Sequence, residues 1–412
     1  DVDSAAAIQV LIRVSFYLNQ KKKPLLAVYT ALLAAEHSVK KGLSPYTANS
    51  ISFWGIGELI LGNENRAYKL GKLSLKLNTM KPSKDACMLV TWSTIFLVQL
   101  RQPVWSVGNE AIPFTLKILN HSLDNGDMIS AGFCGLACCY LRLWSGEHLK
   151  LLEKSIRVIH DRLDELGQEV LLEHFKPLLQ MILNLRGKDS MNDEQPTILT
   201  GEVMNEQEYL SRLSSSTPPS YSNRLFTAKM LLAYTFGHYQ LAETCYSSII
   251  MTNYETTTIF SIPYRFYDAM ICYARYQQTK NRKYLRQARK ARKILQQHHS
   301  KSNPNVVPYL QVMEAEELLT RTDKNSIVQS RKLFDKAINM QEGFAHLEGL
   351  ANERASVALA KFDCFGASRN YFEKAKHVYE SKWGATMKYH SMSDKFTYLS
   401  SACSSMTPSH AF

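Results

Sequence analysis

Residues 226–250 read FTAKMLLAYTFGHYQLAETCYSSII, and the order of residue types in this stretch decides the fold. Two apolar-periodic segments flank Gly237, with Tyr239, Ala242 and Tyr246 placed two, five and nine residues after it. Two helices that cross closely need a small residue where the backbones approach and large ones where they interlock. Gly237 predicts the end of the first helix and a tight turn, because glycine enters the left-handed region without a Cβ penalty. Ala242 then marks the close crossing, with Tyr239 and Tyr246 filling the space around it. The stretch reads as one antiparallel helical hairpin.

Working outward, the same grammar returns with variable fidelity. Gly62 is followed by Ala67 five residues on, and Asp363 stands at the glycine place before Phe365, Ser368, Tyr371 and Ala375. Asn325, Ser330, Leu333 and Ala337 repeat those offsets without the early aromatic. Apolar residues recur at three and four positions in 4–19, 25–39, 50–61, 67–77 and 85–100, and helical texture resumes from 223. Gly/Pro/Asn punctuation falls between these segments, and short connections make antiparallel neighbours. The expected fold is all-α, a tetratricopeptide-like α-solenoid of antiparallel helical hairpins with an irregular period. The expected organisation is an N-terminal helical array over 1–187 and a polar linker with a short helix over 188–221. A C-terminal array follows over 222–390. The chain turns Ser-rich after Trp383 and is expected to fray there, with 391–412 a disordered tail.

Composition narrows the setting. At 412 residues and 45% apolar content the chain can bury a large core. The apolar run Met88–Leu100 is too short to span a bilayer, so no membrane contact is expected. No secretory signal is read at the acidic start, and the absence of an initial Met suggests a processed start or a piece of a longer protein. Eight cysteines are scattered through apolar segments without a CxxC pair, which suits buried thiols in a reducing cytoplasm. Cys134, Cys138 and Cys139 read as small core residues rather than zinc ligands, since no second ligand pair accompanies them.

The net charge of +12 is concentrated in KNRKYLRQARKARKILQQHHSK, residues 280–301. Tyr284, Ala288, Ala291 and Leu295 form an apolar stripe that can dock this helix. Arg282, Arg286, Arg289, Lys290 and Lys293 lie on the other side as a positive ridge. The bland reading is a solvated helix face; the functional reading is an acidic protein partner or neighbouring domain. Nucleic acid is disfavoured, because no stacking aromatics line the ridge and no nucleic-acid module is present. His298 and His299, at the end of this helix, read as dipole-favoured capping residues. Glu314, Glu316 and Glu317 read as a solvated helix face.

Four phrases together resemble one known region: GELILGNENRAYKLGKLSLKL (57–77), LTGEVMNEQEYL (199–210), GLANERASVALAKF (349–362) and YFEKAKHVYESKWGATMKY (371–389). The chain resembles, over roughly 25–390, the tetratricopeptide-like helical segment of very large signalling proteins. In them it follows a STAND/AAA-type predicted ATPase and often precedes GAF and histidine-kinase modules, sometimes with a Ser/Thr kinase domain in front. The most specific pieces are LANERAS and the closing Trp383, Gly384, Ala385 and Lys388 of WGA-x-x-K. The resemblance implies a connector between a nucleotide-driven switch and a kinase output, with those domains or a partner peptide as partners.

The chain itself carries neither enzyme's motifs. Gly71-Lys72 and Gly187-Lys188 lack the rest of a P-loop. Asp363-Cys-Phe-Gly366 breaks the order of the kinase DFG, and no HRD-type loop accompanies it. His346-Leu347-Glu348 departs from a phosphoacceptor histidine motif. No catalytic, cofactor or metal site is read.

Overall fold

The computed structural model describes residues 2–20, 23–80, 111–187, 195–213, 219–250, 260–300, 303–321, 323–339, 344–362 and 364–392. The expected helix over 85–100, Cys87, Asp363 and Cys403 lie outside them. The described residues are helical with no strand, and the helices pack in neighbouring pairs as a solenoid-like stack. The N-terminal pairs are α1 (Val2–Gln20) with α2 (Pro24–Lys41), then α3 (Thr47–Ile60) with α4 (Glu64–Met80). Next come α5 (Ala111–Asp124) and α6 (Met128–Trp144), followed by α7 (Leu149–Glu165), the single turn α8 (Glu169–Leu172) and α9 (Lys176–Arg186).

Beyond the short α10 (Glu206–Ser211) the pairs become regular. They are α11 (Pro219–Phe236) with α12 (Tyr239–Ser248), and α13 (Ser261–Thr279) with α14 (Arg282–Ser300). Then follow α15 (Val307–Leu318) with α16 (Lys324–Asn339), and α17 (Ala345–Ala360) with α18 (Phe365–His377). A π-helical turn, Val378–Trp383, extends α18, and the last described helix covers 386–392.

The opening stretch forms its hairpin for the reasons its sequence suggests. Gly237 sits at φ +86°, and its N–H and that of His238 close the turn onto Tyr234 and Ala233 carbonyls. Ala242 is fully buried, while Tyr239 and Tyr246 are partly buried against the core. Gly62 turns in the same way, with Ala67 buried five residues on. Ser368, Tyr371 and Ala375 are buried at the corresponding places of the last pair, whereas Phe365 is exposed. Ser330 and Ala337 are buried likewise. Side chains fix several starts: Asp127 caps α6 through Ser130 N–H, and Asp323 caps α16 through Ser326 N–H at 2.8 Å.

Two expectations are corrected. The segment expected as a polar linker packs within its described part, 195–213: Leu199, Met204 and Tyr209 are buried in the one core that joins both arrays. Its polar residues are ties rather than solvated loop. Asn184 Nδ2 donates to Ile198 O at 2.7 Å, Gln180 Oε1 accepts from Val203 N–H, and Glu206 accepts from Leu199 N–H and pairs with Lys229. The chain after Trp383 does not fray at once. Ala385, Lys388 and Met392 are all buried, because the π turn redirects 386–392 back across α11 and α17. Met392 falls inside the range expected to be a disordered tail.

Candidate functional site

Two places concentrate unusual chemistry. The first is the basic ridge on α14. Tyr284, Ala288, Ala291 and Leu295 are buried, so the stripe docks the helix and turns the opposite side outward. Arg282, Arg286, Lys290 and Lys293 are exposed and make no ion pair among the described residues. Arg289 differs: its Nε donates to Glu317 Oε1 at 2.8 Å, and Arg292 reaches Glu317 Oε2 at 3.0 Å. Among the described residues the ridge is therefore four unpaired cations beside one clamp. His298 is not a simple cap. It is buried, with Nδ1 3.4 Å from Glu64 Oε1 at the start of α4, while His299 is exposed.

Glu316 and Glu317, expected on a solvated face, are buried; Glu314 is half-buried. The reason is that α15 is enclosed by α13, α14, α16 and α17, so it has no solvated side to offer them. A buried carboxylate needs a partner, and both have one. Arg354 grips Glu316 bidentately, Nε to Oε1 at 2.5 Å and Nη2 to Oε2 at 3.0 Å.

That ion pair belongs to the second place, a junction where α11, α12, α13, α15 and α17 meet the helix over 386–392. Lys388, 2% exposed, donates from Nζ to Glu353 Oε1 and to Thr235 O, both at 2.6 Å. Tyr379 O–H donates to Glu353 Oε2 at 2.9 Å. Burial pushes the Glu353 carboxyl up, but Lys388 and the Tyr379 hydrogen bond overcome this and hold it below the usual carboxylate range. Burial likewise works against the Arg354 charge, and Glu316 outweighs it. Two acids and two bases thus balance inside the fold.

Aromatic rings frame these charges. His346 stands between Trp144 of the N-terminal array, 6.0 Å away centre to centre, and Trp383 at 6.1 Å. Both ring nitrogens of His346 and the indole N–H of Trp383 are buried without a hydrogen-bond partner among the described residues. Burial pushes the His346 pKa down to about 3, so the ring is neutral and inaccessible. A cavity of about 20 Å³, room for a water, opens among Tyr234, Tyr239, Tyr267, His346, Arg354 and Trp383. Gly384, next to Trp383, sits at φ +79°, and a Cβ there would lie 2.5 Å from the His148 ring at the start of α7. Gly187, at the end of α9, is less crowded: a Cβ there would meet Met387 at 3.6 Å, an ordinary contact.

LANERAS and WGA-x-x-K, far apart in the sequence, meet in the fold. Glu353 and Arg354 come from the first, Trp383 and Lys388 from the second. The usable signal was a Glu-Arg pair inside a run of small apolar residues, where a solvated face has no place. The thiols of Cys134, Cys138, Cys139, Cys245 and Cys272 are buried, and burial raises Cys138 to about 11; Cys364 is exposed, against expectation. Among the described residues no three metal-ligating side chains converge, and no helix is long and apolar enough to cross a membrane. The chain matches no protein-family model and no curated protein.

Proposed function

We propose that the chain is the non-catalytic helical region of a multidomain signal-transduction protein, acting in the cytoplasm. In this reading it couples a nucleotide-dependent ATPase switch to a histidine or Ser/Thr kinase output through protein–protein contacts. The observation that supports it is the Glu353–Lys388 pair. The two phrases that carry the resemblance to such regions form one buried junction, and that junction also touches Trp144 and His148 of the first array. Stacked hairpins contact mainly their neighbours, so a tie between distant parts makes the stack move as a body and pass a displacement along.

The test is made in the intact protein. Replacing the array by a flexible linker is expected to abolish the dependence of kinase output on nucleotide; equal output would sink the reading. Immunoblotting with an antibody against 280–301 should show a band several times larger than 47.0 kDa.

A second reading is favoured by the four cations on α14 that are unpaired among the described residues: a freestanding adapter that holds an acidic protein partner. A band at 47.0 kDa would promote it. Changing Arg282, Arg286, Lys290 and Lys293 to Glu should then abolish recruitment. Loss of duplex binding with a log K versus log salt slope of about −4 would point instead to nucleic acid.

A further inference from the structure

The cavity at the junction is lined by polar atoms that no described residue answers. Trp383 and His346, 7% and 5% exposed, both form its wall, with their rings 6.1 Å apart centre to centre. The indole N–H and both imidazole nitrogens are buried with no hydrogen-bond partner among the described residues. Buried polar atoms in folded proteins are paired as a rule, with protein or with ordered water. Two separate features therefore fall at one place: a space of about 20 Å³, and unpartnered polar side chains on its wall.

The chemistry of the wall selects the guest. Its charges are already answered: Arg354 is held by Glu316, and the two oxygens of Glu353 take Lys388 and Tyr379. An anion would meet the Glu353 carboxylate and a cation the indole N–H, with no net opposite charge to repay either for leaving water. An apolar guest would leave the nitrogens unbonded. A neutral group that both accepts and donates fits, because Trp383 only donates and a neutral imidazole offers one N–H and one bare nitrogen. Size narrows this further, since one water takes ~10–15 Å³ of such space.

We infer that one internal water occupies this cavity, accepting the indole N–H of Trp383 and donating to the bare nitrogen of His346. The wall supplies oxygen acceptors for its second proton at Glu353 and the tyrosine hydroxyls. The water joins the start of α17 to the end of the π turn, immediately before the bend at Gly384. It is thus a leg of the junction separate from the Glu353–Lys388 pair, and it fixes the imidazole proton on the nitrogen turned away from it. This holds whether or not the chain couples a switch to a kinase.

Oxygen-17 relaxation dispersion counts the waters that stay in a protein longer than it tumbles. In the full chain, His346→Phe is expected to lose one such water, while His299→Phe, at an exposed imidazole, loses none. A crystal structure of the unaltered chain provides the second measurement, which stands even if His346→Phe does not fold. It should show one water within about 3.2 Å of both Trp383 Nε1 and a His346 nitrogen. An unchanged count in folded His346→Phe overturns the inference, as does an equal loss in His299→Phe. A crystal cavity with no density, or with density larger than one water, also overturns it.

Discussion

A buried lysine is tolerated only where its charge is answered, and Lys388 is answered twice, by the Glu353 carboxylate and the Thr235 carbonyl. Lys388→Met would leave the half-buried Glu353 without its counter-charge, a change expected to cost about 2–3 kcal/mol. Adding Glu353→Gln should recover part of that loss, and urea titration of the single and double variants checks both. His346 predicts the response to acid. Its pKa is about 3 in the fold against 6.5 as the ordinary value, so the unfolded chain takes up a proton that the folded one refuses. The stability it contributes is complete above pH 6.5 and is lost as the pH falls toward 3, at about 1.4 kcal/mol per pH unit. His174, also lowered to about 3 by burial, adds in the same direction. His346→Phe removes the titrating ring and should flatten the acid limb of a stability-versus-pH curve. An unchanged slope would show that the imidazole is not the group responsible.

Elements here are made by local rules and placed by non-local ones. The hairpin at 226–250 needs only a glycine at positive φ and an alanine at the crossing, and both are readable. Gly237→Ala is expected to cost about 1–2 kcal/mol through the left-handed backbone alone, because the turn is otherwise intact. Gly384→Ala should cost more, since its Cβ would also strike the His148 ring; comparing the two in thermal unfolding separates backbone strain from the closed junction. The stripe on α14 was legible because that helix is strongly one-sided. Helix α15 was not: Leu310, Gln311, Val312, Met313 and Glu316 are buried all round it, and a helix with no polar side offers no phase from which to infer where a glutamate points.

At the scale of the whole molecule, unpaired and committed cations separate among the described residues. Reversing Arg282, Arg286, Lys290 and Lys293 to Glu should leave stability within about 0.5 kcal/mol, as is usual for surface sites. Arg289→Glu, half-exposed but facing Glu317, should cost about 1 kcal/mol or more, and calorimetry of both variants checks the distinction. The arrays read as separate in sequence are one core in three dimensions, joined through 195–213 and closed by His346 against Trp144 and by Gly384 and Met387 against His148 and Gly187.

The sequence by itself determined the helices, their turns and the buried side of each one-sided helix, because periodicity and left-handed glycines act within a few residues. It also supplied the phrases LANERAS and WGA-x-x-K. Only the tertiary structure decided which charges are sites. Glu316 finds Arg354 38 residues away, Glu353 finds Lys388 35 residues away, and Lys388 reaches Thr235 across 153. A carboxylate looks the same in a sequence whether water or a guanidinium answers it. What settles the difference is the stacking of layers, which excludes the water and leaves the distant partner as the sole remaining solvent.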